Sequence, residues 1–232
     1  MRIRKDFTFF LSSPNTQAQA SLLEGWDALI SYGVAGRNTW VREYLRSFRN
    51  ILIDSGAYSV MNSGKVLDVD EYAEWASNVM LEGNVVAVAA LDDIKGRSEL
   101  TYANWMKYPW MFPTYHDSDP EDFLDEILSH NPAWLGLGMV PPRINVSWLR
   151  STLDRIPEGT HVHGWALGSF SHLQRLDSAD STGWILDVRK LKESSLTRHL
   201  TTQEQLEIVV KRFKRKHYVH VQEVLNDGGL FV

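Results

Sequence analysis

Val85-Val86-Ala87-Val88-Ala89-Ala90-Leu91 is an apolar run with no polar alternation, and it stops on Asp92-Asp93. A strand with one wet face alternates apolar and polar residues. An uninterrupted run suits a parallel strand covered on both faces, by helices outside and by a barrel interior within. Working outward, strand-like runs recur at 7–12, 28–33, 50–54, 111–115, 134–140, 160–166 and about 179–186, which with 85–91 makes eight. Helical spacing fills 68–82, 97–107, 118–130, 145–155 and 202–216. Ser118 is expected to cap the helix of 118–130, with Pro120 in its first turn and acids just after. No Gly/Ser/Pro-rich linker and no internal repeat divides the chain. The expectation is an α/β fold, one compact (β/α)8 TIM-like barrel domain over residues 1–232.

Composition narrows the classes of function. A chain of 232 residues with 44% hydrophobic and 23% charged residues suits a soluble domain with a full core. It has no cysteine, which excludes disulfides and thiolate–zinc sites; no metal, nucleotide cofactor or ATP motif is expected. The N-terminal stretch, basic residues before a short apolar run, reads as a first strand rather than a membrane helix or leader, so the expected location is the cytoplasm. A net charge of −5 argues against a uniformly basic surface. It conceals a local cluster at 211–217, where Arg212, Lys214, Arg215 and Lys216 are candidate phosphate donors or, alternatively, one solvated helix face.

The polar signals fall at the ends of successive strands: Asp54-Ser55-Gly56, Asp92-Asp93, Tyr115-His116-Asp117, Gly136-Leu137-Gly138, His163-Gly164 and Asp180-Ser181. In a parallel barrel all strand C-termini point to one face, so residues far apart in sequence line one pocket; Asp and Gly also end strands for purely local reasons. Asp54 and Asp180 form the central pair. Two carboxylates at one rim can divide the breaking of a glycosidic bond, one attacking the anomeric carbon and the other moving protons. Asp177 competes with Asp180 for the nucleophile's part, and Asp93 is a neighbour. His116 with Asp117 reads as a proton relay or a solvated loop. His161 and His163 are assigned to opposite faces of a strand, leaving only His163 at the rim. Trp165 and Trp184 are the tryptophans expected near a substrate.

These segments, in their order, resemble the tRNA-guanine transglycosylase superfamily. Asp54-Ser55-Gly56-Ala57-Tyr58 is similar to that family's Asp-Ser-Gly-Gly-Phe motif, and Leu91-Asp92-Asp93 to its Phe-Asp-Glu segment. Residues 135–140 resemble its Gly-Gly-Leu-Ala-Val strand end, 163–168 its Met-Gly-Val-Gly segment, and Asp180-Ser181-Thr182-Gly183-Trp184 its nucleophile segment. The likeness covers roughly 50–185. Two departures stand out. The Cys-rich zinc insertion of the tRNA enzymes has no counterpart, and the Gln after the fourth strand is replaced by Phe112-Pro113-Thr114-Tyr115-His116-Asp117. The pattern is most similar to the short phage and bacterial transglycosylases that place 7-deazaguanines in DNA.

The resemblance implies base exchange: guanine in DNA is replaced by a 7-deazaguanine such as preQ0 through a covalent aspartyl-glycosyl intermediate. Asp180 is then the nucleophile and Asp54 the general acid/base. Asp92 reads the guanine-like edge, with Ser55, Gly56, Tyr58, Gly138, Met139, His163 and Gly164 as further substrate contacts. The implied partners are DNA or tRNA, the free base and a possible DNA-delivery protein, with no membrane and, for a phage-encoded chain, a host-cytoplasmic setting. RNA as substrate, and a non-catalytic nucleic-acid-binding subunit on the same scaffold, are the alternatives.

Overall fold

A computed structural model describes residues 7–36, 38–61, 66–94, 96–139, 145–166 and 176–227, with the side chains of Met61 and of 216–227 excepted. Eight strands form one sheet: β1 (Thr8–Ser12), β2 (Asp27–Ser31), β3 (Asn50–Asp54), β4 (Val85–Val88), β5 (Thr114–His116), β6 (Trp134–Gly138), β7 (His161–Gly164) and β8 (Ser178–Ser181). Their order is β4-β3-β2-β1-β8-β7-β6-β5, and each ladder between neighbours is parallel. The sheet curls until its outer strands meet at a single bridge rather than along a full ladder. Ala89, just past β4, pairs with Phe112, just before β5; the Phe112 amide donates to Val88 O and the Ala90 amide to Phe112 O, each at 2.8 Å.

The two-residue period of a strand sorts the side chains. Phe9, Leu11, Ala28, Ile30, Ile51, Ile53, Leu135, Leu137, Val162 and Ala179 point outward into the core beneath the helices. Phe10, Leu29, Leu52, Ala89 and Phe112 point inward and make a second cluster, with Ala87, Trp134 and Trp165 packed on it. One inward step further along their strands come Ser12, Ser31 and Asp54, and two steps beyond Phe112 and Trp134 come His116 and Gly138. The apolar inner cluster is therefore the floor on which a polar ring stands.

The outer layer holds α1 (Gln17–Leu22), α2 (Tyr32–Ala35), α3 (Trp40–Tyr44), α4 (Ala57–Met61), α5 (Val69–Glu82), α6 (Ser98–Lys107), α7 (Glu121–Ser129), α8 (Val146–Arg155), α9 (Gly183–Glu193) and α10 (Thr202–Asp227). Local sequence explains their starts. The Asp68 carboxylate caps α5 by accepting from the Asp70 and Glu71 amides, and Asn145 caps α8 by accepting from the Trp148 amide. Tyr72, Ala73, Ala76 and Val79 of α5, and Leu206, Val209, Val210 and Phe213 of α10, give each helix one apolar stripe against the sheet. Phe213 stacks on Phe9 of β1 at 4.3 Å between ring centroids. No described helix is long and apolar enough to cross a membrane.

Several expectations are corrected. The run 85–91 is a strand only to Val88, and its outer cover is incomplete, since Val86 is 43% exposed. The run near 179–186 ends at Ser181. There the Ser181 hydroxyl accepts from the Gly183 amide, and the spacing of Trp184, Val188 and Leu191 makes the rest α9, a helical stripe hidden in a β-favouring run. Residues 32 and 33 of the expected second strand begin α2, and strand pairing in the 111–115 run shifts to Thr114–His116. Ser118 is not the cap of α7: Pro120 occupies that position, and the preceding turn is tied instead by Asp119, whose Oδ2 accepts from the His116 amide at 2.7 Å. Val140, at the end of the expected sixth strand, lies outside the described residues.

Candidate active site

Asp54 ends β3, Asp92 follows β4 and Asp180 lies on β8, and the three carboxylates line one cavity of about 250 Å³ at the C-terminal end of the sheet. Its wall also includes Ser12, Gly56, Tyr58, His116, Gly138, Met139, Trp165, Ala166 and Thr182. No Lys or Arg is among its described lining residues.

Each carboxylate is oriented. Asp180 Oδ2 accepts from the Ser12 hydroxyl at 2.6 Å and Oδ1 from the Ala166 amide at 2.7 Å. Ala166 holds φ at +54°, a left-handed conformation uncommon for a residue with a Cβ, and that turn aims its amide at the carboxylate. Buried His163 stands behind, with Nε2 3.4 Å from Asp180 Oδ1 and Nδ1 2.9 Å from Ser178 Oγ. Asp54 Oδ2 accepts from the Gly56 amide at 3.0 Å. Gly56 has φ +77°, and a Cβ there would stand 2.4 Å from Ser31 Oγ and 2.7 Å from the Gly33 amide nitrogen, so the turn requires glycine.

Burial raises the Asp54 pKa from 3.8 to about 7; the negative charges of Asp92 and Asp180 add to this, while the Ser31 hydroxyl and the Gly56 amide favour the charged form. Asp92 has a different environment. Its Oδ2 lies 3.0 Å from His116 Nε2, and Ser55 Oγ lies 3.4 Å from its Oδ1. His116 Nδ1 faces Asp119 Oδ2 at 3.3 Å. Burial alone would depress the imidazole, but the two carboxylates outweigh it and raise His116 from 6.5 to about 10. Asp54 is therefore able to exchange a proton near neutrality, while the two carboxylates favour the charged form of His116.

Glycines make room for this machinery. A Cβ on Gly138 would lie 2.5 Å from His116 Cδ2, and one on Gly136 would lie 2.4 Å from Trp165 Nε1. The Trp165 indole stacks on Phe112 and donates to Thr114 Oγ1 at 3.1 Å, forming part of the cavity wall.

Of the residues expected at the site, Asp54, Asp92, Asp180, Gly56, Tyr58, Gly138 and Met139 line the cavity. Ser55, His163 and Gly164 are buried behind that lining. His161 and His163 share a face, contrary to expectation: residues two apart on a strand point the same way, and both ring systems reach Ser178 Oγ at 2.9 Å. Asp177 stands before β8, where its Oδ2 accepts from the Val162 amide, at the other end of the strand from the cavity. Asp93 pairs with Arg97. The partners of the His116 ring are Asp92 and Asp119, not the adjacent Asp117. Trp184 is a core residue whose indole donates to Ser12 O at 3.1 Å. Arg212 and Arg215 are exposed and Lys214 half-buried on α10, which packs on β1 and α9 outside the sheet; the Lys216 side chain lies outside the described residues.

Sequence reasoning missed Ser12, Ala166 and Asp119. Ser12 carried a usable signal, since it lies two residues beyond inward-facing Phe10 at a strand end; Ala166 and Asp119 act through loop geometry that leaves none. Among the described residues no group of three or more His, Asp or Glu is arranged to hold a metal ion. No protein-family model matches the chain, and no curated protein is significantly similar to it.

Proposed function

We propose that the chain is a base-exchange transglycosylase that replaces guanine in DNA with a 7-deazaguanine such as preQ0. The observation that carries this reading is the meeting of Asp54, Asp92 and Asp180 around one cavity sized for a heterocycle rather than an extended glycan. On this reading the curled sheet is a TIM-like barrel, with the Ala89–Phe112 bridge as its seam.

The chemistry divides among the three acids. An Asp180 oxygen attacks C1′ of the target nucleoside as the N-glycosidic bond breaks, and the bonding electrons leave with guanine, which takes the Asp54 proton and leaves that carboxylate ionised. Ser12 and the Ala166 amide keep that carboxylate in one orientation. Asp54 then takes the ring N–H proton of the incoming base, whose nitrogen attacks C1′ and breaks the Asp180–C1′ ester. A carboxyl with a pKa of about 7 suits such a proton exchange at neutral pH. Asp92 accepts hydrogen bonds from the N–H donors of the base edge. The three acids of the lining favour a donor-rich ligand in the cavity, and Arg212, Lys214, Arg215 and Lys216 on α10 are the proposed phosphate contacts. A base buried in a duplex has to leave the stack first, at a cost of a few kcal/mol, roughly.

The test is mass spectrometry of digested nucleosides after incubating the protein with duplex DNA, single-stranded DNA or tRNA and isotopically labelled guanine or preQ0. Label entering DNA with the wild type and not with Asp180→Asn supports the reading. Label entering only tRNA moves the substrate to RNA. Binding without exchange on any polymer refutes the enzymatic assignment.

A further inference from the structure

His116 ends β5 and lines the cavity. Both ring nitrogens face carboxylates inside the protein: Nε2 meets Asp92 Oδ2 at 3.0 Å and Nδ1 meets Asp119 Oδ2 at 3.3 Å. Asp119 is held in turn by the His116 backbone amide at 2.7 Å, so ring and carboxylate are locked within one turn. Gly138 leaves the space the imidazole occupies. The side chains of His116 and Asp119 are buried, whereas Asp92 keeps part of its surface toward the cavity.

We propose that His116 is a positioning residue, an imidazolium clamped between Asp92 and Asp119, which fixes Asp92 as an oriented carboxylate acceptor and so restricts the cavity to a heterocycle offering two adjacent N–H donors. A carboxylate has about four lone-pair sites, and the clamp and Ser55 use only part of that capacity. Nε2 is committed to Asp92, and Nδ1 is buried 3.3 Å from Asp119 Oδ2 as an ion-pair contact without hydrogen-bond geometry, so the ring presents no free donor to this wall of the cavity. A ligand lacking one of the two donors leaves a buried acceptor unpaired, which such sites reject strongly. The titratable groups around the clamp are Asp92 after β4 and Asp119 before α7, with Asp117 adjacent in the turn and Asp54, Asp180 and Tyr58 in the cavity wall. The charge state carried by two flanking carboxylates accords with the raised pKa of His116. The identity of the ligand rests on the base-exchange reading; the clamp does not.

Two measurements separate these parts. In 15N-histidine NMR from pH 5.5 to 9, with the signal assigned by its loss in His116→Gln, both His116 nitrogens stay protonated in the wild type, and Asp119→Asn brings the titration down into that window. Isothermal titration with 7-deazaguanine and 7-deazahypoxanthine, which lacks the exocyclic amine, gives at least a roughly tenfold preference for the former. That preference falls to about threefold or less in His116→Gln and Asp119→Asn, and Asp119→Glu restores it. A neutral His116 at pH 7.5, or an unchanged preference in His116→Gln, overturns the clamp. Binding of neither base by a protein whose His116 is doubly protonated overturns the ligand half together with the base-exchange reading and leaves the clamp standing.

Discussion

Replacing Asp54 by Asn removes an ionisable group whose charge the folded protein disfavours, and the effect on stability has a defined dependence on pH. The folded-state pKa of about 7 exceeds the ordinary 3.8, so between those values the native state holds a proton that the unfolded chain has released. Wild-type stability is therefore full below the ordinary value and is lost progressively as pH rises toward 7. Each pH unit across that window is worth about 1.36 kcal/mol, which sets a ceiling of about 4 kcal/mol above pH 7. Asp54 is only partly buried and faces the cavity, where solvent screening reduces the effect, so a loss of about 2 kcal/mol is the working expectation. An Asn oxygen can still accept from the Gly56 amide that Asp54 binds at 3.0 Å, so the turn is preserved. Asp54→Asn is consequently more stable than wild type at pH 8, by an amount that shrinks steadily toward pH 5. Urea unfolding at intervals across that range, with the m-value checked for constancy, measures the difference. A stability difference that is the same at pH 5 and pH 8 refutes the electrostatic account, as does a variant less stable than wild type at pH 8.

Other perturbations test the scaffold. Gly56→Ala combines a left-handed backbone with a Cβ 2.4 Å from Ser31 Oγ, and should cost about 3 kcal/mol, a Tm fall of roughly 6–12 °C by calorimetry. Gly138→Ala pushes on His116 Cδ2 from 2.5 Å; the expected outcome is weakened binding of 7-deazaguanine by titration calorimetry, with a smaller loss of Tm than in Gly56→Ala. Phe213→Ala removes the ring stacked on Phe9 and should destabilise by about 3 kcal/mol in urea unfolding, whereas exposed Arg212→Ala leaves stability within about 0.5 kcal/mol. If α10 contacts phosphates, the double change Arg212→Ala and Arg215→Ala lowers the slope of log affinity for DNA against log salt by about 2; an unchanged slope assigns those residues to a solvated helix face.

The same acidic ring that suits a donor-rich ligand is costly to the fold. Three carboxylates are held above one apolar floor, and the structure separates their roles by giving them different partners. Asp180 has two donors, Asp92 faces the His116 ring at 3.0 Å, and Asp54 has a backbone amide and two negative neighbours. Sites that push the pKa values of neighbouring titratable groups apart are a recurrent way of running acid and base chemistry in one place.

The strand runs were legible in outline because burial on both faces of a parallel sheet demands unbroken apolar stretches, and Asp54 at the end of β3 could be read from the residues alone, whereas the run expected near 179–186 placed Asp180 at a strand start and Asp92 stands past the end of β4. Helix α5 was equally readable, since its Asp68 cap and apolar stripe are local features. The short helices α1 to α4 were not, because a helix of four to six residues has too little periodicity to register and is held by what it packs against. Helix α9 was masked by β-favouring residues, whose helical face emerges only when Trp184, Val188 and Leu191 meet the outer wall. The sequence by itself determined that acids would stand in or just after apolar, strand-like runs. Only the tertiary structure decided which of them share a cavity, that His116 turns to Asp92 and Asp119 rather than to its neighbour, and that Ser12 and Ala166 hold Asp180. Those pairings join residues up to 168 positions apart, and their geometry is set by sheet curvature and loop conformation, neither of which is encoded in any local pattern.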